Sequence, residues 1–177
     1  MLIHLTLALA VFTVVSASEL DYVLYASPEE KPIRVYSNWL YVGGWRTALP
    51  AELSANGITH VVSATRAPSV RVADVAYLSL DLEDVPTQQL GEALISVSRF
   101  IHEARSAMGP SGGGGKILVH CKQGVSRSVS LVLGYLITHQ GLPFDLALSL
   151  VLAAHSTARP NVGFEAQLRA LPVALVH

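Results

Sequence analysis

One cysteine, Cys121, sits in the stretch His120-Cys121-Lys122-Gln123-Gly124-Val125-Ser126-Arg127-Ser128. The apolar run Ile117-Leu118-Val119 precedes it as a short strand, and Leu131 to Ile137 follow as a buried helix. A strand feeding a tight loop with Gly124 at its middle, then a helix, makes an anion cradle. Backbone N–H groups point inward and the helix N-terminus adds partial positive charge. Arg127 closes the loop with a planar fork able to hold two phosphate oxygens at once. A thiol at the mouth of such a field is favoured as the thiolate; comparable settings lower a thiol pKa from ~8.5 to roughly 3.5–7.5. The chemistry implied is attack by sulfur on a bound phosphate ester.

The plainer fate of a lone cysteine is a small buried hydrophobe. His120, Gly124, Arg127 and Ser128 at these offsets outweigh it. A metal site is disfavoured, because no second cysteine and no spaced histidine pair lie near Cys121.

The elements that must position this loop fit in 177 residues as one α/β domain. Net charge is −1, which offers no polycationic surface for nucleic acid or an anionic membrane. A single cysteine excludes an internal disulfide framework and fits a reducing compartment, so a cytoplasmic catalytic domain is expected. Against this, residues 1–18 are mostly apolar and resemble a secretory h-region, with Val15-Ser16-Ala17 as a cleavage site but no Lys or Arg before it. At this length the segment is short for a membrane span. A helix docked on the domain and translation from an upstream start are the other readings, and membrane association is expected only if the segment is retained as an anchor. Residues 19–32, with Pro28, Glu29, Glu30 and Pro32, read as a linker.

Ile33–Tyr36 and Trp39–Val42 alternate and form a hairpin across Ser37-Asn38. Ala48–Ala55 is a short helix with Pro50 early and Asn56-Gly57 as its stop. Ile58–Val62 is a buried strand, in which His60 faces a helix or solvent, and Val75–Leu80 is another. The acidic stretch Asp81–Thr87 is a surface loop. Gln88–Ala107 is a helix with Leu90, Leu94, Val97, Phe100, Ile101 and Ala104 on one side and His102, Glu103 and Arg105 solvated. Gly109–Gly115 is a link; without a following Lys-Ser/Thr step it is no nucleotide P-loop. Phe144–Ala154 is a helix, and a last helix starts near Pro160-Asn161.

His-Cys-x5-Arg-Ser, here HCKQGVSRS, resembles the signature loop of the cysteine-dependent protein phosphatases, and SVSLVLGYLI resembles the helix of their dual-specificity branch. Leu40-Tyr-Val-Gly43 with Ala48 and Leu53, then Gly57-Ile-Thr-His60, are similar to the opening of those domains. Tyr77-Leu-Ser-Leu-Asp-Leu-Glu-Asp84 resembles the strand and loop that deliver their general acid, and Pro160-Asn-Val-Gly-Phe-Glu-Ala-Gln-Leu168 their C-terminal element. The resemblance covers residues 33–171 and leaves 172–177 as a tail. It implies an α/β fold with a central, mostly parallel sheet of four to five strands flanked by helices. The glycine run lengthens the insert before the active strand, and the segment before Arg159 looks contracted.

The resemblance also implies roles. Cys121 attacks phosphorus and becomes a phosphocysteine. Backbone N–H groups from Lys122, Gln123, Gly124, Val125, Ser126 and Arg127 hold the equatorial oxygens, and Arg127 stabilises the transition state. His120 positions Cys121 through the loop backbone and helps keep it ionised. Ser128 stabilises the thiolate as a leaving group. Asp84 protonates the leaving oxygen, then activates water. No cofactor is needed, and the expected partner is a phosphoprotein substrate hydrolysed at phosphotyrosine and phosphoserine/phosphothreonine.

Asp81 and Glu83 compete with Asp84 for the acid's role. If Leu80 and Leu82 face the core, alternation sends Asp81 and Glu83 to solvent and leaves Asp84 free to turn over the loop. Within enzymes, the same loop serves lipid, sugar or RNA phosphates, but only Lys122 is basic between Cys121 and Arg127, which favours phosphoprotein. Rhodaneses and arsenate reductases also place a thiolate in an anion loop; the small arsenate-reductase type puts cysteine and acid in the reverse order. A non-catalytic phosphate-binding scaffold usually lacks Cys, Arg or the acid, and all three are present here.

Overall fold

The computed structural model describes residues 30–65, 71–106 and 114–173. The apolar segment 1–18, residues 19–29 of the expected linker, most of the glycine link and residues 174–177 of the tail lie outside the described residues.

Five strands form one sheet: β1 (Ile33–Tyr36), β2 (Leu40–Gly43), β3 (His60–Ser63), β4 (Ala76–Ser79) and β5 (Ile117–His120), in the order β1-β2-β5-β3-β4. The β1–β2 hairpin is antiparallel and every other pairing is parallel. β5 is central because Ile117, Leu118 and Val119 are apolar on both faces, as a parallel strand covered on both sides must be. Val42, Val119 and Val62 lie in one row, and Gly43, His120 and Ser63 in the next. Three strands therefore end together at one edge, the edge where open α/β sheets bind ligands.

Among the described residues, six helical segments cover the sheet: a 3-10 turn (Trp45–Ala48), α1 (Pro50–Asn56), α2 (Gly91–Ser106), α3 (Arg127–Gln140), α4 (Phe144–Ala154) and α5 (Val162–Arg169). One face carries the main core, in which Val97, Ile101, Leu131, Leu133, Leu136, Phe164 and Leu168 are almost wholly buried. Each such side chain contributes roughly 1.5–3 kcal/mol. The other face carries a smaller cluster of Tyr41, Leu53, Ile58, Val61 and Leu118.

The expected boundaries shift for identifiable reasons. The first helix begins at Pro50 rather than Ala48, because the residue before proline is held extended, and Leu49 has φ −68° and ψ 148°. α2 begins at Gly91 rather than Gln88. Its entry is held by Gln167 of α5, whose Oε1 accepts from Leu90 N–H at 2.9 Å and whose Nε2 donates to Gln88 O at 2.9 Å. α3 begins four residues before Leu131, with Ser128 and Ser130 buried in its first turn and Ser130 Oγ donating to Ser126 O at 2.8 Å. Arg105 is not simply solvated: its guanidinium lies 4.8 Å over the Trp39 ring and donates to Gly115 O at 3.2 Å. Glu30 of the expected linker reaches the end of β2, where its Oε1 accepts from Gly44 N–H at 2.8 Å. His60 meets the edge of Phe100 on α2, as its place on the strand suggested.

Candidate active site

The loop between β5 and α3 stands over the carboxyl ends of β2, β5 and β3. Cys121 is buried, with its Sγ 3.2 Å from Ser128 Oγ and accepting from Gly124 N–H at 3.2 Å. The sulfur thus has one backbone N–H donor and one hydroxyl within hydrogen-bond reach. Gly124 adopts φ +76°, and a Cβ there would lie 2.6 Å from Gly43 C and Gly44 N. Only glycine allows both this left-handed conformation and the close approach to the β2 corner.

The loop is fastened from outside through its carbonyls. Lys122 O accepts from Trp45 N–H at 3.4 Å, Gly124 O lies 2.8 Å from His155 Nε2, and Val125 O accepts from Arg159 N–H at 2.8 Å. In a trans peptide the next N–H points the opposite way. Outward carbonyls at 122, 124 and 125 therefore turn the N–H groups of Gln123, Val125 and Ser126 inward.

Arg127, mostly buried, donates through one terminal nitrogen to Leu82 O at 3.1 Å. Its Nε lies 3.6 Å from Asp84 Oδ2, close enough for charge attraction but too long for a hydrogen bond. That Nε is buried and makes no hydrogen bond, so its donor capacity is unspent beside the Asp84 carboxylate.

Asp81, Glu83 and Asp84 are all exposed around buried Leu82, but Asp84 is the one tied to the phosphate loop, through Ser126 and Arg127. Asp84 Oδ1 accepts from Ser126 Oγ at 2.6 Å and from Asn161 Nδ2 at 2.9 Å. Asn161 is also the N-cap of α5: its Oδ1 accepts from Gly163 and Phe164 N–H, while its own N–H donates to Ser126 Oγ at 3.1 Å. Lys122 and Gln123 have exposed side chains, and Val125 is half-buried.

His120 ends β5, directly before the loop. It is buried at 3% exposure, and neither ring nitrogen has a hydrogen-bond partner of good geometry. Burial pushes the imidazole down to about 4, opposed by the Cys121 backbone. A neutral ring supplies no positive charge, so any help it gives the sulfur comes through the backbone and not as a cation.

Asn161, His155 and Gln167 are the residues whose parts sequence reasoning missed. Asn161 and Gln167 stood inside a recognised motif, without a geometry to say what they held. His155 carried no signal at all.

The family model described as "Dual specificity phosphatase, catalytic domain" matches residues 40–172. Dual specificity protein phosphatase 22 of Homo sapiens is 39% identical over 139 residues, spanning 78% of this chain and 72% of the relative. Dual specificity protein phosphatase 15 of Mus musculus is 35% identical over 130 residues, 73% of this chain and 53% of that protein. The crystal structure of human DUSP28 superposes with a TM-score of 0.70 at 33% identity, covering 81% of this chain and 95% of that one.

Proposed function

Since the chain belongs to the dual-specificity phosphatase family and is a protein phosphatase, we propose that it hydrolyses phosphotyrosine and phosphoserine/phosphothreonine through a phosphocysteine on Cys121. The observation that carries the reading is the convergence at one sheet edge of a doubly hydrogen-bonded Cys121 Sγ, an Arg127 Nε without an acceptor, and Asp84.

In the first step the Cys121 thiolate forms an S–P bond while the P–O bond to the substrate side chain breaks. Asp84 gives its proton to the departing oxygen. The inward N–H groups and Arg127 take up the charge spread over the three equatorial oxygens. In the second step water attacks phosphorus, Asp84 accepts its proton, and the S–P bond breaks to release phosphate. Ser128 Oγ stabilises the sulfur as it leaves. The protein partner is the phosphoprotein substrate; no role for nucleic acid is proposed. The cytoplasm is the proposed compartment, supported by a thiolate chemistry that needs a reducing setting. N-terminal sequencing of the expressed protein tests that choice, since a start at Ser18 would mean cleavage and export.

The test of the reaction uses Cys121→Ser, with phosphotyrosine, phosphoserine and phosphothreonine peptides as substrates. Turnover should vanish while oxyanion binding persists, because serine is nearly isosteric but not ionised at neutral pH. Turnover within tenfold of wild type would sink the mechanism. Arg127→Lys should also lose most activity, since a point charge cannot reproduce the fork.

A further inference from the structure

His155 lies between α4 and α5, outside the nine-residue loop motif, and is half-buried. Its Nε2 is 2.8 Å from Gly124 O, and its Nδ1 is 3.5 Å from Thr157 Oγ1. A carbonyl only accepts, so Nε2 must carry the proton. In the neutral ring Nδ1 is then the acceptor, facing a hydroxyl that can donate. The connection carrying the ring is itself held: His155 N–H donates to Val151 O at 2.8 Å, Ala158 N–H to His155 O at 3.0 Å, and Ala158 is buried. Four residues on, Arg159 N–H takes the next carbonyl of the phosphate loop, Val125 O. Two consecutive carbonyls are thus gripped by one short connection.

We propose that His155 is a positioning residue, whose Nε2–H holds the Gly124 carbonyl on the outer face of the loop and so keeps Val125 N–H aimed into the phosphate nest. The inference rests on the phosphatase reading and adds to it a residue that touches neither substrate nor sulfur. Gly124 is where such a grip matters most. A glycine has the widest choice of backbone conformations, so a hold on its carbonyl does more there than at its neighbours to fix the plane of the Gly124–Val125 peptide. Without the imidazole that peptide can rotate and turn its oxygen toward a bound anion. The effect falls on oxyanion affinity, since the inward N–H groups act only when the anion is present.

The experiment uses the full chain with tungstate as the probe and para-nitrophenyl phosphate as the substrate. His155→Phe keeps a ring but removes the donor; His155→Gln restores an N–H donor at similar reach. His155→Phe should raise the tungstate inhibition constant and KM by about three- to tenfold, the worth of one ordinary hydrogen bond, with a smaller fall in kcat. His155→Gln should recover most of both. A phenylalanine variant with wild-type tungstate affinity and KM overturns the proposal. So does a glutamine variant as weak as the phenylalanine one, because packing rather than hydrogen bonding would then be at work. Nitrogen-15 spectra of the wild-type imidazole give a reading that needs no variant: a proton on Nδ1 with Nε2 bare overturns the grip outright. Wild-type protein that neither binds tungstate nor turns over substrate would instead defeat the phosphatase reading, and the tautomer would still be read separately.

Discussion

Ser126 Oγ lies 2.6 Å from Asp84 Oδ1, so a hydrogen bond across 42 residues of chain joins the loop that holds phosphate to the carboxyl of the acid loop, beside the one from Arg127 to Leu82 O. The hydroxyl does double service, since it also accepts from Asn161 N–H. Asn161 in turn bonds Asp84 through Nδ2 and caps α5 through Oδ1. Three segments distant in sequence thus set the position of one carboxyl group.

Loosening that network should affect proton delivery first. Ser126→Ala is expected to lower kcat about tenfold on phosphoserine peptides, the scale of a lost hydrogen bond to a charged group, with a smaller loss on aryl phosphates. Asn161→Ala should give the same leaving-group dependence and, by removing the cap of α5, cost about 1 kcal/mol in urea denaturation. Equal losses on alkyl and aryl substrates would separate the network from the acid's work.

The acid itself is tested by exchanging carboxylates for amides. Asp84→Asn should lower kcat by about 10²–10⁴-fold for poor leaving groups. The loss should shrink for para-nitrophenyl phosphate, and the basic limb of the pH–rate profile should flatten. Asp81→Asn, on an exposed side chain one residue before buried Leu82, should change little. The reverse pattern would assign the role to Asp81.

The line from Tyr77 to Asp84 shows how far sequence reaches. Alternation about buried Leu82 sends Asp81 and Glu83 outward without any coordinates, because extended side chains have a period of two, and Asp84 lies past the end of that pattern. The loop was legible for a similar reason: its residue types are dictated locally, by an anion, a sulfur and a turn only glycine can make. The start of α3 was not, since Ser128 and Ser130 break the apolar periodicity while being fully buried. Their hydroxyls bond within the fold, and a hydropathy pattern cannot see a satisfied polar group. His155 was hidden more deeply. A histidine becomes a loop support only through the path of the chain between two helices, and no spacing to Cys121 encodes that path.

The glycine of the C-terminal motif has a role that can be weighed. A Cβ on Gly163 would collide with the Pro86 carbonyl, at the point where the first turn of α5 meets the acid loop. Gly163→Ala must push that loop away or shift the helix, and overpacking of this kind costs about 1–3 kcal/mol. Because Asp84 is two residues from Pro86, the variant should also lose kcat on phosphoserine peptides more than on para-nitrophenyl phosphate. A stability loss without that selective effect would mean the helix yields and the acid loop stays.

The buried imidazole of His120 makes a prediction about acid stability. Its folded value is lowered to about 4 from 6.5, by burial first, with the Cys121 backbone opposing. The unfolded chain therefore binds a proton between pH 6.5 and 4 that the folded chain refuses. Above pH 6.5 both states are neutral and His120 adds nothing to the pH dependence. As pH falls through that window the folded state loses ground, and below about 4 the penalty is complete. The gap between the two values corresponds to about 3 kcal/mol. His120→Gln carries no titratable ring, so whatever constant stability it loses through packing, its curve should fall less steeply in acid. Urea denaturation of wild type and variant at pH 7.5, 6.5, 5.5 and 4.5 would show the two lines converging as pH drops. Parallel lines would mean that the ring takes up its proton in the fold, which would restore to His120 the positive charge that its burial denies it.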